Sequence, residues 1–460
     1  MTTHVESLDL NLRHLRALCA VAASGSIAAA AEELYRVSSA VTRSIAELEA
    51  ALGRPLFERR ARGTVLNAYG QLVLVRARRI DTEFEAARTQ LMARGGVKGG
   101  TDANSLFASI LNGRRLAVVA SLAERRNMAA VAREFGITQP AVSAALKDLE
   151  TRLGVPLFER SARGLAPTQA GDIVAFYFRR VLAELRNIIP DIAASEGVLT
   201  GSVHVGALPL GRTHLLPTAI AALLDKHPGL HIATEESPYS ALAASLRSGD
   251  LDFILGALRP GELTPELAAE PLFEDRLSLI VRAGHPLSRV TQGLSALSGA
   301  RWVLSRRGAP SRELFEQCFA ASGLPAPVPA VETGDLAVLR ALLMESDMVT
   351  AISAHQLRYE ILDGSLVELA IPLATTRRQI GLTQRAGCFA SPGARALMEE
   401  IRRVVADAAV FRSPGGARVY ATADGPGRRR QTAMAPTPSS ISGSADGSGT
   451  AVTDTASSTK

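Results

Sequence analysis

The chain has 460 residues, 47% of them hydrophobic, and 51 Lys and Arg against 45 Asp and Glu give it a net charge of +6. That length allows several domains with substantial cores, and no uninterrupted apolar run approaches the ~18 residues of a membrane span, so no membrane partner is expected. The excess charge sits at the front: residues 1–200 carry +6, residues 201–411 carry −3 and the remainder +3, as a polyanion-binding module followed by a near-neutral ligand domain would have it.

The N-terminus, MTTHVESLDLNLRHL, has no apolar h-region and no cleavage site, so no signal peptide and a cytoplasmic location are expected. Residues 10–93 form a first module, which includes SIAAAAEELYRVSSAVTRSIAELEAALGRPLFER. Its wing sequence, LGRPLFERRARG from Leu52, returns almost unchanged as LGVPLFERSARG from Leu153. At the resulting offset of 101, residues 13–83 and 114–184 align without a gap and agree at roughly a third of positions, which points to duplication of one module. Residues 94–110, containing RGGVKGG, are expected to be a flexible linker. The same run is expected to cut short the long helix of the first copy.

The second copy, residues 111–170, is the more regular. NGRRLAVVASLAER and the Ala-rich MAAVAREF predict two helices, and Gly136 suits a left-handed turn position. Thr138 can cap a third helix, QPAVSAALKDLETRL, with Pro140 in its first turn, where no intrahelical N–H is needed. Val142, Leu146, Leu149 and Leu153 form its buried stripe. Helix, tight turn, helix is the geometry that places the first turn of the last helix in a DNA major groove. Thr138, Gln139, Pro140, Ala141 and Ser143 then form the docking end, with Gln139 and Ser143 toward base edges and Lys147 and Arg160 toward phosphates. PLFERSARGLAPT predicts a hairpin wing turning at Arg163-Gly164. Residues 171–197 continue a helix whose apolar face is too wide for a lone surface helix, and dimerisation is its expected role.

In the first copy Tyr35, Arg36 and Val37 stand where the second has Gly136, Ile137 and Thr138, and Ser38-Ser39 replace Gln139-Pro140. Sliding the alignment by one residue restores a Val-Ser match but leaves the Pro without a counterpart. The base-reading Gln is lost either way. Ser38, Ser39 and Thr42 remain at the docking end, and Arg43, Arg59, Arg60 and Arg62 suit phosphates. The first copy is either a second DNA reader or a fold kept for assembly.

Residues 198–411 change rhythm. β-type runs such as SVHVGAL, LHIATEE, LDFILGAL, RLSLIVRA and RWVLS alternate with helical stretches such as LLPTAIAALLDKH, which argues for parallel α/β units. The first strand ends at Pro209-Leu210-Gly211, where a following helix N-terminus suits anionic or hydroxylated ligands, making Arg212 and Thr213 candidates. Ser305 closes RWVLS and Arg306 and Arg307 follow it, and Glu332, Thr333 and Ser353 lie at further strand ends. From residue 412 the chain is rich in Gly, Ser, Thr and Pro and is expected to be disordered. Cys19, Cys318 and Cys388 are too scattered for a metal or disulfide framework, so reduced thiols are expected. No HExxH, GxSxG or P-loop pattern is present, and neither an enzyme nor a metal or cofactor site is expected.

TQPAVSAALKDLETRLGVPLFER followed by ARGLAPTQAG resembles the winged helix-turn-helix of the LysR-type transcriptional regulators, although Ala144 stands where that pattern usually has Arg. GVLTGSVHVGALPLGRTHLLP, SGDLDFILGALRP and EPLFEDRLSLIVRAGHPLS resemble the family's effector domain, in the branch of the galactose-binding-protein regulators. Taken with the repeat, the resemblance implies two all-α winged helix-turn-helix domains, where the usual family member has one, followed by an α/β two-lobed domain of the type 2 periplasmic-binding-protein fold. Its implied partners are double-stranded promoter DNA, a small-molecule co-inducer such as a sugar or organic acid, further copies of the chain as a homodimer or homotetramer, and RNA polymerase. A solute-binding protein shares the fold of the last domain but not the modules before it.

Overall fold

The computed structural model describes residues 10–60, 63–94, 112–161, 164–289 and 293–407. The expected linker at 94–110, except Arg94, and the expected tail from 412 lie outside the described residues. In the first module α1 (Leu12–Ser24), α2 (Ile27–Glu33) and α3 (Ser38–Leu52) precede a hairpin of β1 (Phe57–Arg60) and β2 (Gly63–Leu66) and a long helix, α4 (Ala68–Ala93). The second repeats the series as α5 (Gly113–Arg125), α6 (Met128–Glu134), α7 (Gln139–Leu153), β3 (Phe158–Ser161), β4 (Gly164–Pro167) and α8 (Gln169–Arg186), followed by α9 (Ile188–Ser195). Side chains fix the helix starts: Asn11, Asn112, Asn127 and Thr168 each accept a backbone N–H of the first turn they precede, removing one of the orphan donors of a helix end.

The expectation of a truncated first long helix is corrected. α4 runs for 26 residues and α8 for 18. The Gly-rich run begins only after α4 has ended, whereas α8 meets Pro190, whose ring conflicts with the carbonyl four residues earlier. The chain breaks at Asn187, which donates its side-chain amide to Ala183 O at 2.9 Å, and resumes as α9.

One apolar core runs through both modules. Leu15, Leu18, Val41, Leu48, Ile80 and Phe84 from the first are continuous with Leu116, Val142, Leu149, Phe178, Val181 and Ile188 from the second. α4 lies against α8, with Phe84 and Phe178 in edge-to-face contact at 6.4 Å between centroids. Asn11 and Asn112 form an antiparallel bridge beside them. Arg76, 1% exposed, sits in this junction. Its Nε and Nη2 donate to Asp191, at 2.7 and 3.3 Å, and its Nη1 donates to Glu184 Oε2 and to Phe389 O, both at 2.7 Å.

The remaining chain forms two five-stranded sheets. The first contains β5 (Gly201–Ala207), β6 (Leu230–Glu235), β7 (Phe253–Ala257), β8 (Leu267–Asp275) and β14 (Arg378–Arg385), in the order β6-β5-β7-β14-β8. The second contains β9 (Ser278–Arg282), β10 (Arg301–Leu304), β11 (Val331–Glu332), β12 (Met348–Ile352) and β13 (Leu366–Glu368), in the order β11-β10-β12-β9-β13. The chain therefore crosses between sheets twice, after β8 and before β14. The helices are α10 (Pro209–Thr213), α11 (Leu215–Lys226), α12 (Tyr239–Ser248), α13 (Pro310–Ala321), α14 (Leu336–Glu345), α15 (Arg358–Leu362) and α16 (Pro392–Asp407). Val203, Val205, Phe253 and Leu255 pack under α11 and α16 in the first lobe. Trp302, Phe315 and Phe319 stack in the second. Among the described residues no single helix is long and apolar enough to cross a membrane.

Candidate nucleic-acid interface and effector cleft

The docking end of the second module is solvent-facing. Thr138, Gln139, Pro140, Ala141, Ser143, Ala144, Lys147 and Arg160 are all exposed, while Val142, Leu146, Leu149 and Leu153 fix the opposite side of α7 in the core. Thr138 caps α7 by accepting the Ala141 N–H at 3.4 Å. Asp148 pairs with Arg115 and Arg152 at 3.5 and 3.0 Å, so the two arginines neutralise its charge. Arg160 stands opposite Leu165 in the hairpin, and Arg163 lies outside the described residues.

The first module keeps the shape of the turn with different residues. Gly136 has φ +61 and Tyr35 has φ +52, so the gapless alignment is the correct one. A left-handed conformation is costly for a bulky side chain; Tyr35 adopts it and is left 97% exposed. Val37, in the place of Thr138, begins α3 with no side-chain cap. Ser38, Ser39, Thr42 and Arg43 are exposed, but Arg43 is held by Glu47 at 2.7 Å. Arg59 stands in register with Thr64 on the first hairpin, and Arg62 lies outside the described residues.

Two devices that seat the wings were not foreseen from sequence. Glu150 on α7 accepts the Leu157 and Phe158 N–H groups at 2.7 and 3.1 Å, and Glu49 on α3 accepts that of Leu56 at 2.7 Å. A Cβ on Gly171 would lie 2.0 Å from Leu157 O, and one on Gly70 2.2 Å from Leu56 O. The wing backbone thus presses directly on the long helix in both copies. The signal was present in the repeat, since Glu49/Glu150 and Gly70/Gly171 match at the offset of 101.

In the α/β part, Thr213 lies where the lobes meet, with its hydroxyl 3.4 Å from His355 O and 3.2 Å from Leu210 O. Arg212 pairs with Glu236 at the end of β6. Ser305, Arg306, Glu332 and Thr333 gather at the C-terminal ends of the parallel strands β10 and β11. Thr333 donates its N–H to Leu304 O at 3.0 Å, and Ser305 Oγ accepts from Ser311 at 3.1 Å. Glu332 is the second and more distant carboxylate on buried Arg312, at 3.7 Å against 2.6 Å for Glu316, and has Arg307 at 4.0 Å. Ser353 is fully buried and donates to Asp275 Oδ1 at 2.6 Å, while Arg378 donates to Oδ2 at 2.9 Å. It joins the two crossover segments and presents no surface to a ligand.

Three cleft residues escaped the sequence reading: His214, His355 and Tyr359. The His214 and Tyr359 rings meet edge-to-face across the lobes, with Tyr359 Oη 3.4 Å from His214 Nδ1, and Phe273 contacts His355 at 5.7 Å between centroids. Isolated histidines carry no spacing signature, so only the fold brings them together. Burial pushes the His355 pKa down, opposed by Asp275 and aided by Arg358, His214 and Arg378; burial and then Arg358 push His214 down. The folded protein thus resists a proton that the unfolded chain accepts near its ordinary value of 6.5. The stability these rings contribute is complete above pH 6.5 and is lost as pH falls toward the depressed values. The denaturation midpoint should therefore drop between pH 7 and 5.5, and a His214→Gln/His355→Gln chain should show a flatter profile. Parallel profiles for the two proteins would refute the assignment.

His285, in AGHPLS, is buried and accepts the Leu287 N–H on Nδ1 at 2.9 Å, a turn-holding role. Burial, with Asp81, pushes the Cys19 thiol up to about 12, far from a reactive thiolate. The described residues contain no group of three or more His, Cys, Asp or Glu able to hold a metal.

The sequence matches the model described as the LysR substrate binding domain over residues 196–406. It matches the bacterial regulatory helix-turn-helix protein, lysR family, over residues 12–71 and again over 114–172. It is 49% identical over 399 residues to the HTH-type transcriptional regulator GalR of Pseudomonas putida, covering 87% of this chain and 98% of that protein. Residues 112–460 number only 349, so that match extends into the first module. The HTH-type transcriptional regulator GbpR of Azospirillum brasilense is 31% identical over 253 residues, 55% of this chain and 74% of its own. Full-length OxyR from Pseudomonas aeruginosa superimposes with a TM-score of 0.51 at 23% identity, over 65% of this chain and 96% of that one, a likeness of fold.

Proposed function

From the premise that the chain belongs to the LysR family of transcriptional regulators, we propose how its surfaces divide the work. Residues 111–170 read promoter DNA: Gln139 and Ser143 meet base edges, and Thr138, Lys147, Arg160 and Arg163 meet the backbone. Residues 10–93 form a second reader, in which Ser38, Ser39 and Thr42 dock and Arg43, Arg59 and Arg62 add phosphate contacts. Residues 171–197 join this head to the effector domain, residues 198–411. The observation that carries the reading is the exposed polar first turn of α7 above a fully buried Val142, Leu149 and Leu153 stripe, beside a wing seated by Glu150.

The effector lies between the lobes, touching Arg212 and Thr213 on one side and Ser305, Arg306 and Thr333 on the other, with His214 and Tyr359 at its edge. Two arginines, hydroxyl groups and imidazole favour a small carboxylate- or hydroxyl-bearing molecule. Such a ligand shifts the head only through its different affinity for the two lobe arrangements.

The test is Gln139→Ala in the whole protein, footprinted on the DNA upstream of its own reading frame. Losing a bidentate contact costs about 1–3 kcal/mol of discrimination at one base pair, so preference there should relax by roughly 5- to 150-fold. A uniform loss of affinity on all sequences, with preferences intact, would remove Gln139 from the base-reading role.

A further inference from the structure

The ion pairs of the head repeat with its sequence. Arg79 Nε reaches Glu184 Oε1 at 2.9 Å, and Arg180 Nη2 reaches Glu83 Oε1 at 2.8 Å. At the repeat offset of 101, Arg79 corresponds to Arg180 and Glu83 to Glu184. Residue i of one module thus meets residue j of the other, and j meets i. Asn11 and Asn112, bridged antiparallel, are also equivalents and so lie on the axis relating the copies. Reciprocal contacts with equivalents paired on an axis are the signature of an isologous two-fold interface, which is normally made between two identical chains. Here both halves belong to one chain. The face of α8 that a second copy would use, through Phe178 and Val181, is fully buried and continuous with α4.

We propose that residues 10–195 of a single chain form a complete two-headed DNA reader, a pseudo-dimer in cis, bound to an operator with two non-equivalent half-sites. One half-site is read by α7 through Gln139 and Ser143, the other by α3 through Ser38, Ser39 and Thr42. The proposal rests on the DNA-reading role given above and adds its stoichiometry and asymmetry. Departures from symmetry fall both where DNA would be met, at Tyr35, Val37, Ser38 and Ser39, and inside the junction, where Arg76 corresponds to Tyr177, whereas the reciprocal arginines and glutamates are the same in both copies. Further copies of the chain then associate through surfaces other than the α4–α8 junction.

The deciding experiment is disulfide trapping in the full chain carrying Asn11→Cys and Asn112→Cys. Residues opposed in an antiparallel pair lie about 4.5–5.5 Å apart at Cα, within reach of a disulfide. Oxidation should give a product with the mass of one chain and altered gel mobility, reversed by reductant and missing from both single-substituted chains. Covalently linked dimers as the main product, or no link, would overturn pairing in cis. A second measurement needs no cysteine. Base-interference footprints of the wild-type protein and of Gln139→Ala should differ in one half of each pair of half-sites; equal changes in both halves would overturn the asymmetric reader. An intramolecular link in a protein that leaves no footprint would instead refute the DNA-reading role while upholding the pairing.

Discussion

Arg76→Met is expected to lower the stability of the helical head by about 3–5 kcal/mol, the usual cost of removing one member of a buried ion cluster. Burial alone would depress the Arg76 pKa, but its hydrogen bond to Asp191 and the charge of Glu184 outweigh this and raise it, so the guanidinium stays charged. Its removal leaves Asp191, 4% exposed, without the fork that satisfied both oxygens. Glu184 retains Arg79 at 2.9 Å, which places the loss chiefly at Asp191. The urea midpoint of the helical signal in far-ultraviolet circular dichroism should fall accordingly. Arg76→Met/Asp191→Leu should recover much of it, because a filled apolar site replaces an uncompensated charge. Lysine should not substitute well, since a point ammonium cannot serve Asp191, Glu184 and Phe389 O together. An unchanged midpoint for Arg76→Met would show that the cluster contributes nothing. The same residue stacks on Phe389 at 4.6 Å from ring centroid to guanidinium carbon, so its loss should also loosen the head from the first lobe.

Asp275→Ala carries the second large effect. Asp275 ends β8, Arg378 begins β14 and Ser353 follows β12, so one carboxylate fastens both crossover segments to the second sheet. Truncation strands the largely buried Arg378 guanidinium and the buried Ser353 hydroxyl, a loss again of about 3–5 kcal/mol. The chain has one tryptophan, Trp302, packed against Phe315 and Phe319 in the second lobe. Its fluorescence therefore reports that lobe alone, and its unfolding midpoint should fall sharply. Asp275→Asn, which keeps the shape and an acceptor for Ser353, should fall between the wild type and alanine. Coincident Trp302 transitions for all three proteins would show that the carboxylate does not hold the crossover.

Elements governed by local chemistry were legible in the sequence. Gly136, Thr138 and Pro140 announce a turn, a cap and a first helical turn, and the structure places α7 at Gln139–Leu153 as they require. The strand runs of 198–411 fall within a residue or two of β5, β6, β7, β9 and β10 for the same reason: short β-branched runs end where helices begin. What was hidden depends on distant contacts. Nothing local distinguishes Arg76 from its solvated neighbours; its burial follows from α8, α9 and Phe389 closing over it. Ser353 and Glu332 looked like cleft residues because they follow strands, yet a carboxylate and a buried guanidinium already engage them. His214, His355 and Tyr359 were missed because their meeting is a property of the lobe arrangement. The altered turn at Tyr35 was visible as a sequence departure, but only the backbone angle shows that the side chain changed while the turn did not.

The shared core of α4 and α8 has a consequence for mass action. A head assembled from two chains forms by a second-order reaction and falls apart on dilution below its dissociation constant. Halves on one polypeptide meet at an effective concentration set by the connecting chain, in the millimolar range for short flexible connections. For the cis reader proposed above, assembly is then first-order and indifferent to how many copies of the protein a cell holds. Occupancy of the operator should rise linearly with protein at low concentration, where a head built by dimerisation would rise as the square.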